Sequence, residues 1–128
     1  HRLPEPPLPG VETDSVRIMP ILSAAGLVFE GRIMGNCASD LHKSVKTGKV
    51  YFYRMELPRR ATLCLARASS GGWRLDEMRV YSNELPEPSL VRLAGRWVAA
   101  RQGVSPALVL SDEFREELNE TGQDYALA

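Results

Sequence analysis

The sequence predicts an α+β domain: two N-terminal helices, a three-stranded antiparallel meander and a C-terminal helix. Three observations predict it. Residues 23–47 carry apolar positions at helical spacing, and residues 50–81 switch to strict alternation. From Ser89 a helical stripe returns, with Gly48 and a proline-bounded turn over 83–88 marking the two changes of period.

Residues 2–10 hold Pro4, Pro6, Pro7 and Pro9, which reads as an extended polyproline-type arm entering the domain as a linker. Val16 to Met19 form a short strand ending at Pro20. The boundaries that follow are an arm over 1–19, the domain over 20–103 and a partly helical, then frayed, extension over 104–128.

Ser23 to Met34 reads as a helix, and Ile21 and Leu22 before it with Leu27, Val28 and Phe29 in it give it a heavily buried side. Gly35 interrupts, and Asn36 caps a second helix that runs to about Thr47 and stops at Gly48. In that helix Cys37, Leu41 and Val45 repeat every four residues on the core side, while Asp40, Lys43 and Lys46 look outward.

The strands read from alternation. Over 50–57, Tyr51, Tyr53, Met55 and Leu57 oppose Val50, Phe52, Arg54 and Glu56, and Pro58 ends the strand. Over 60–67, Ala61, Leu63 and Leu65 oppose Arg60, Thr62, Cys64 and Ala66. Ser69-Ser70-Gly71-Gly72 turns the chain. Over 73–81, Trp73, Leu75, Glu77, Arg79 and Tyr81 oppose Arg74, Asp76, Met78 and Val80. Ser89 caps the next helix, striped by Leu90, Leu93, Ala94 and Trp97 and ended by Gly103. Residues 107–110 read as an edge strand or a helical continuation, and 112–118 as a helix.

Composition narrows the function classes. The 128 residues suffice for one domain without disulfides or metals. Sixteen basic residues balance sixteen acidic ones, so no whole-molecule field draws the chain to nucleic acid or an anionic membrane. The absence of an apolar run near 18 residues predicts no membrane span, and no signal peptide is recognisable, so a cytoplasmic protein is expected. Two cysteines and two separated histidines give neither a disulfide framework nor metal-ligand spacing, and no cofactor is expected. His1 reads as a tag remnant or fragment boundary; without an initiating methionine the chain is expected to be the C-terminal piece of a larger protein.

Cys37 is the sharpest chemical candidate. A thiol in a first helical turn feels free N–H groups and the helix dipole, which favour thiolate. Read as a nucleophile it makes a thiol enzyme; read with Leu41 and Val45 it is a small core residue. His42 lies roughly 140° around the helix from it, and arginine stays protonated and cannot serve as its base. Arg60 and Glu77 suggest an ion pair across neighbouring strands, and Asn83 suits fixing the turn that follows. Arg59, Arg60, Arg67, Arg74 and Arg79, with Tyr51, Phe52, Tyr53 and Tyr81, could also make a sheet face for single-stranded nucleic acid. Glu56, Asp76, Glu77 and Glu84 are interleaved with them, as on a solvated face.

Leu27-x-x-Glu30-Gly31-x-x-Met34-x-x-Cys37, then Arg60-Ala61-Thr62-Leu63, then Gly72-Trp73-x-Leu75-x-Glu77-x-Arg79-x-x-x-Asn83, then a helix with Trp97, together resemble the PcfJ-like domain of bacteria and mobile elements, over residues of about 20–100. The family pattern commonly has His before the Cys and Gln-x-x-Gly in the third strand; here stand Asn36 and Glu77-x-x-Val80, which puts a His-assisted thiol in doubt. The resemblance implies association with conjugative plasmids and other mobile DNA, and no defined reaction. The order Cys-helix, strand, strand is also similar to papain-like and transglutaminase-like cores, which place His where this chain has Arg60, the pattern of a silent relative.

The expected function is therefore a non-enzymatic interaction module of a larger bacterial protein or complex associated with mobile DNA, binding a protein partner through the basic-aromatic meander and the cluster of Cys37, Arg60, Glu77, Arg79 and Asn83. The alternatives are a thiol enzyme with Cys37 as nucleophile and a single-strand nucleic-acid binder. Cys37 separates them. As a core residue it stays inert to iodoacetamide until the protein unfolds, and Cys37→Ser costs on the order of 1–3 kcal/mol. That is the expected result; fast labelling of folded protein at pH 7 marks a nucleophile.

Overall fold

The structure is a computed structural model that describes residues 2–36, 38 and 42–127. Among these the chain forms an α+β fold with nine strands and α-helices: β1 (Val11–Glu12), β2 (Arg17–Pro20), α1 (Ala24–Met34), α2 (His42–Lys46), β3 (Val50–Leu57), β4 (Ala61–Arg67), β5 (Trp73–Arg79), α3 (Pro88–Gln102) and α4 (Asp112–Asn119). The sheet is antiparallel with strands in sequence order, β1-β2-β3-β4-β5.

The predicted meander is the centre of this sheet, and two further strands extend it. Ile18 pairs with Met55 and Pro20 with Tyr53, while Val11 pairs with Ile18 from the far side. The two-residue β1 is too short for alternation to reveal, while β2 lies where a short strand over Val16–Met19 was expected and ends, as expected, at Pro20. The sequence-based boundary at residue 20 falls at the end of β2.

One face of the sheet carries Tyr51, Tyr53, Met55, Ala61, Leu63 and Leu65, all buried. Across it lies α3, whose Trp97 meets Tyr53 edge-on with ring centroids 4.9 Å apart. At its end Gln102 clamps the backbone of Trp73: Nε2 donates to the carbonyl at 2.7 Å and Oε1 accepts from the N–H at 2.7 Å. Glu87 is the N-cap of α3 and Pro88 its first residue, so Ser89 lies inside the helix rather than capping it.

Alternation fails at one point in β5. Leu65 pairs with Leu75 but Cys64 pairs with Glu77, so Asp76 is an extra residue with no partner. The bulge separates Leu75 from Glu77, which alternation placed on one face. It puts Leu75 in the core with Met78, both fully buried, and leaves Glu77 and Arg79 opposite Cys64 and Thr62.

The tail extends the packing. After a 3₁₀ turn at Pro106–Leu108, Leu110 runs parallel beside Leu75: the Leu75 N–H donates to Val109 at 2.7 Å, and the Ser111 N–H to Leu75 at 3.0 Å. Ser111 then caps α4, accepting from the Phe114 N–H at 3.2 Å. The terminus expected to fray is docked. Tyr125 and Leu127 are buried, the Tyr125 hydroxyl donates to Pro86 O at 2.6 Å, and a Cβ at Gly95 would stand 2.9 Å from Leu127.

The proline-rich arm is tied to the sheet by two phenols. Leu3 and Leu8 are buried. The Tyr53 hydroxyl donates to Leu8 O at 2.6 Å and accepts from the Leu8 N–H at 2.9 Å; that of Tyr51 donates to Pro4 O at 3.0 Å. Tyr53→Phe strands both Leu8 groups and should cost about 1–3 kcal/mol, with faster proteolysis within 2–10. Burial also holds the Tyr53, Tyr51 and Tyr125 phenols above their ordinary range. Each binds its proton more tightly folded than unfolded. Their contribution is complete below about pH 10 and is lost as pH rises from there toward the folded values. Alkaline denaturation followed by tyrosine absorbance should therefore be shallower in Tyr53→Phe.

Candidate functional site

The second face of the sheet is also covered, and a carboxylate sets how. Leu27, Glu30, Gly31 and Met34 recur at three- and four-residue spacing and form the buried face of α1. Glu30 is 1% exposed. Its Oε2 accepts from Arg60 Nη1 at 2.9 Å and from Thr62 Oγ1 at 2.5 Å, and its Oε1 receives Arg60 Nη2. Asn36, just past the αL cap at Gly35, continues the chain of bonds: Nδ2 donates to Thr62 Oγ1 at 3.1 Å and Oδ1 accepts from the Ala38 N–H at 3.0 Å. A buried carboxylate with a bidentate guanidinium and a hydroxyl is fully satisfied.

This arrangement corrects the expected Arg60–Glu77 pair. Glu77 stands opposite Cys64, four residues along β4 from Arg60 and so roughly 13 Å away. Arg60 pairs instead with Glu30. Glu77 accepts from Arg79 Nη2 at 2.8 Å, and the same nitrogen donates to Glu117 of α4 at 2.6 Å. Burial pushes the Glu77 carboxyl above its ordinary range, Arg79 opposes the shift, and Glu117 and Asp76 add to it.

Three of the predicted site residues do come together. Glu77, Arg79 and Asn83 line a cleft of about 20 Å³ with Asn36, Thr62 and Cys64. That is room for about one water molecule. Arg60 lies outside it, linked through Glu30 and Thr62. The turn bearing Asn83 is held in the left-handed region at both Ser82 (φ 59°) and Asn83 (φ 60°), and a Cβ at Gly35 would stand 3.4 Å from the Ser82 Cα. The end of α1 and this turn thus close the cleft from two sides. Cys37, with Asp40 and Leu41 of its predicted helix, lies outside the described residues. Sequence reasoning passed over Glu30, Asn36 and Thr62 as site members; a carboxylate inside the Leu27/Gly31/Met34 stripe was the available signal.

Two other expectations change. Of the rings proposed to stack on bases, Tyr51, Phe52 and Tyr53 are buried and Tyr81 is exposed, so the three strand rings offer no aromatic platform. Of the residues expected to form the buried side of α1, Ile21 and Leu27 are buried, but Leu22, Val28 and Phe29 are exposed together with Ile33, Phe29 by 55%. Among the described residues no helix is long and apolar enough to cross a membrane, and no group of three or more His, Cys, Asp or Glu could hold a metal ion.

No family model, curated protein or solved structure matches this chain.

The network can be tested by a double-mutant cycle. Arg60→Met leaves Glu30 buried without its cation and should cost about 3 kcal/mol, with strong coupling to Glu30→Gln. The same cycle run with Glu77→Gln should be additive within about 0.5 kcal/mol in denaturant melts.

Proposed function

We propose that the chain is a non-enzymatic interaction module of a larger bacterial protein or complex associated with mobile DNA. One observation carries the interaction reading. The first helix buries its only carboxylate beside Leu27 and Met34 yet exposes Val28, Phe29 and Ile33, with Leu22 exposed just before it, where a solvated helix would carry polar residues. A contiguous apolar strip on an ordered helix is the feature expected where another polypeptide docks. The polar residues of the cleft support the non-enzymatic half of the reading. Glu30, Arg60, Thr62 and Asn36 satisfy one another, as do Arg79, Glu77 and Glu117, and each set does a structural job. The link to mobile DNA rests on the PcfJ-like resemblance of the Glu30–Cys37, Arg60–Leu63 and Gly72–Asn83 motifs.

A photo-cross-linking residue at position 29, in the full-length protein in its native bacterium, should give a discrete protein adduct. The same residue at exposed position 96 should not. Equal adducts at both positions, or none at 29, would sink the reading. Turnover of a peptide or acyl substrate that is lost in Cys37→Ala would replace it with the thiol-enzyme reading.

A further inference from the structure

The geometry points to the occupant of that strip: an amphipathic helix of a partner protein, carrying a carboxylate that meets Arg32. The inference rests on the interaction reading and names the partner's chemistry. Ala25, Phe29 and Ile33 follow one another at four-residue steps, and Val28 and Arg32 form the adjoining row. Two such ridges leave a shallow groove along the helix, with small Ala25 as a gap into which a partner side chain fits. All five of these residues are exposed. Four apolar side chains near half exposure offer roughly 300 Å², the scale of one short helix binding weakly and reversibly rather than of a permanent dimer.

Charge selects among occupants. Arg32 stands within the apolar strip and has no ion-pair partner among the described residues. The only carboxylate of α1, Glu30, is turned inward and neutralised by Arg60. Among the described residues of the segment that follows, the exposed charges, Lys43, Lys46 and Lys49, are also cationic. A second copy docking through α1 would bring another Arg32 and no exposed carboxylate. A partner helix with Asp or Glu beside its apolar face supplies the missing charge, and a basic helix is repelled.

Two synthetic amphipathic peptides with one Leu/Ile face, differing only in Glu or Lys at the position set to face Arg32, provide the test. The Glu peptide should bind, with amide shifts concentrated over residues 22–34, and Phe29→Ser should weaken it at least tenfold. Arg32→Glu should invert the preference between the peptides, each mismatch costing roughly fivefold. Both substitutions are at exposed positions, and unchanged thermal melts would confirm intact folding; Ile33→Ser serves if Phe29→Ser does not fold. Shifts away from α1, or no binding by either peptide, would overturn the inference. So would Phe29-dependent self-association in sedimentation, or Phe29-dependent binding to phosphatidylserine-containing vesicles. Equal binding of both peptides, still lost in Phe29→Ser, would remove the acidic helix while leaving the interaction module standing. Failure of the cross-link at position 29 removes both.

Discussion

A buried carboxylate determines which way the first helix faces. Glu30 can leave water only where a cation and a hydrogen-bond donor meet it, and Arg60 and Thr62 provide both from the start of β4. Once Glu30 is seated, Leu27, Gly31 and Met34 follow it inward, and Val28, Phe29 and Ile33 have no choice but to point out. Apolar burial alone would favour rotating the helix toward Phe29. The cost of an unpaired buried arginine or an unseated carboxylate opposes that rotation. The polar network therefore sets the exposed surface as firmly as it sets the interior.

The same network anchors the edge of the cleft. Thr62 accepts from Asn36 while it donates to Glu30, so the residue after the α1 cap is held over β4. Gly35 then meets the left-handed turn at Ser82 and Asn83. On the far side, the Asp76 bulge turns Glu77 and Arg79 toward this face, and Arg79 ties β5 to α4 through Glu117. Two separate ion-pair systems, one on α1 and one on α4, thus bracket a single small cleft. Arg60 and Arg79 are each paired within these systems, while Asn83 and the apolar strip of α1 are turned toward solvent.

The opposite face follows ordinary core physics. Interdigitated tyrosines and aliphatic side chains pack under α3, and the two phenols reach past the sheet to hold the arm. Prolines at 4, 6, 7 and 9 preset the arm's extended shape and reduce the entropy lost on docking. The composition that reads as a spacer thereby also suits a segment laid along a protein surface.

Local sequence determined the order and type of the main elements: the helix over 23–34, the three central strands with their alternation, and the helices near 89–102 and 112–118. Those signals depend on periodicity and capping within a few residues, and Ser23, Gly35, Gly103 and Ser111 act as caps in the structure. Glu77, Arg79 and Asn83 were legible as neighbours because they share one strand and its turn. The partner of Arg60 was not, because Glu30 lies thirty residues away on a different element. Nor was the face of α1, since an apolar helix with one carboxylate has two plausible rotations and only the presence of Arg60 and Thr62 chooses between them. The strand expected at Val16–Met19 stands at Arg17–Pro20, whereas the bulge at Asp76, the strand at 11–12 and the docked terminus were decided by tertiary structure as well. Each depends on backbone pairing or burial against distant segments, contacts that no local pattern encodes.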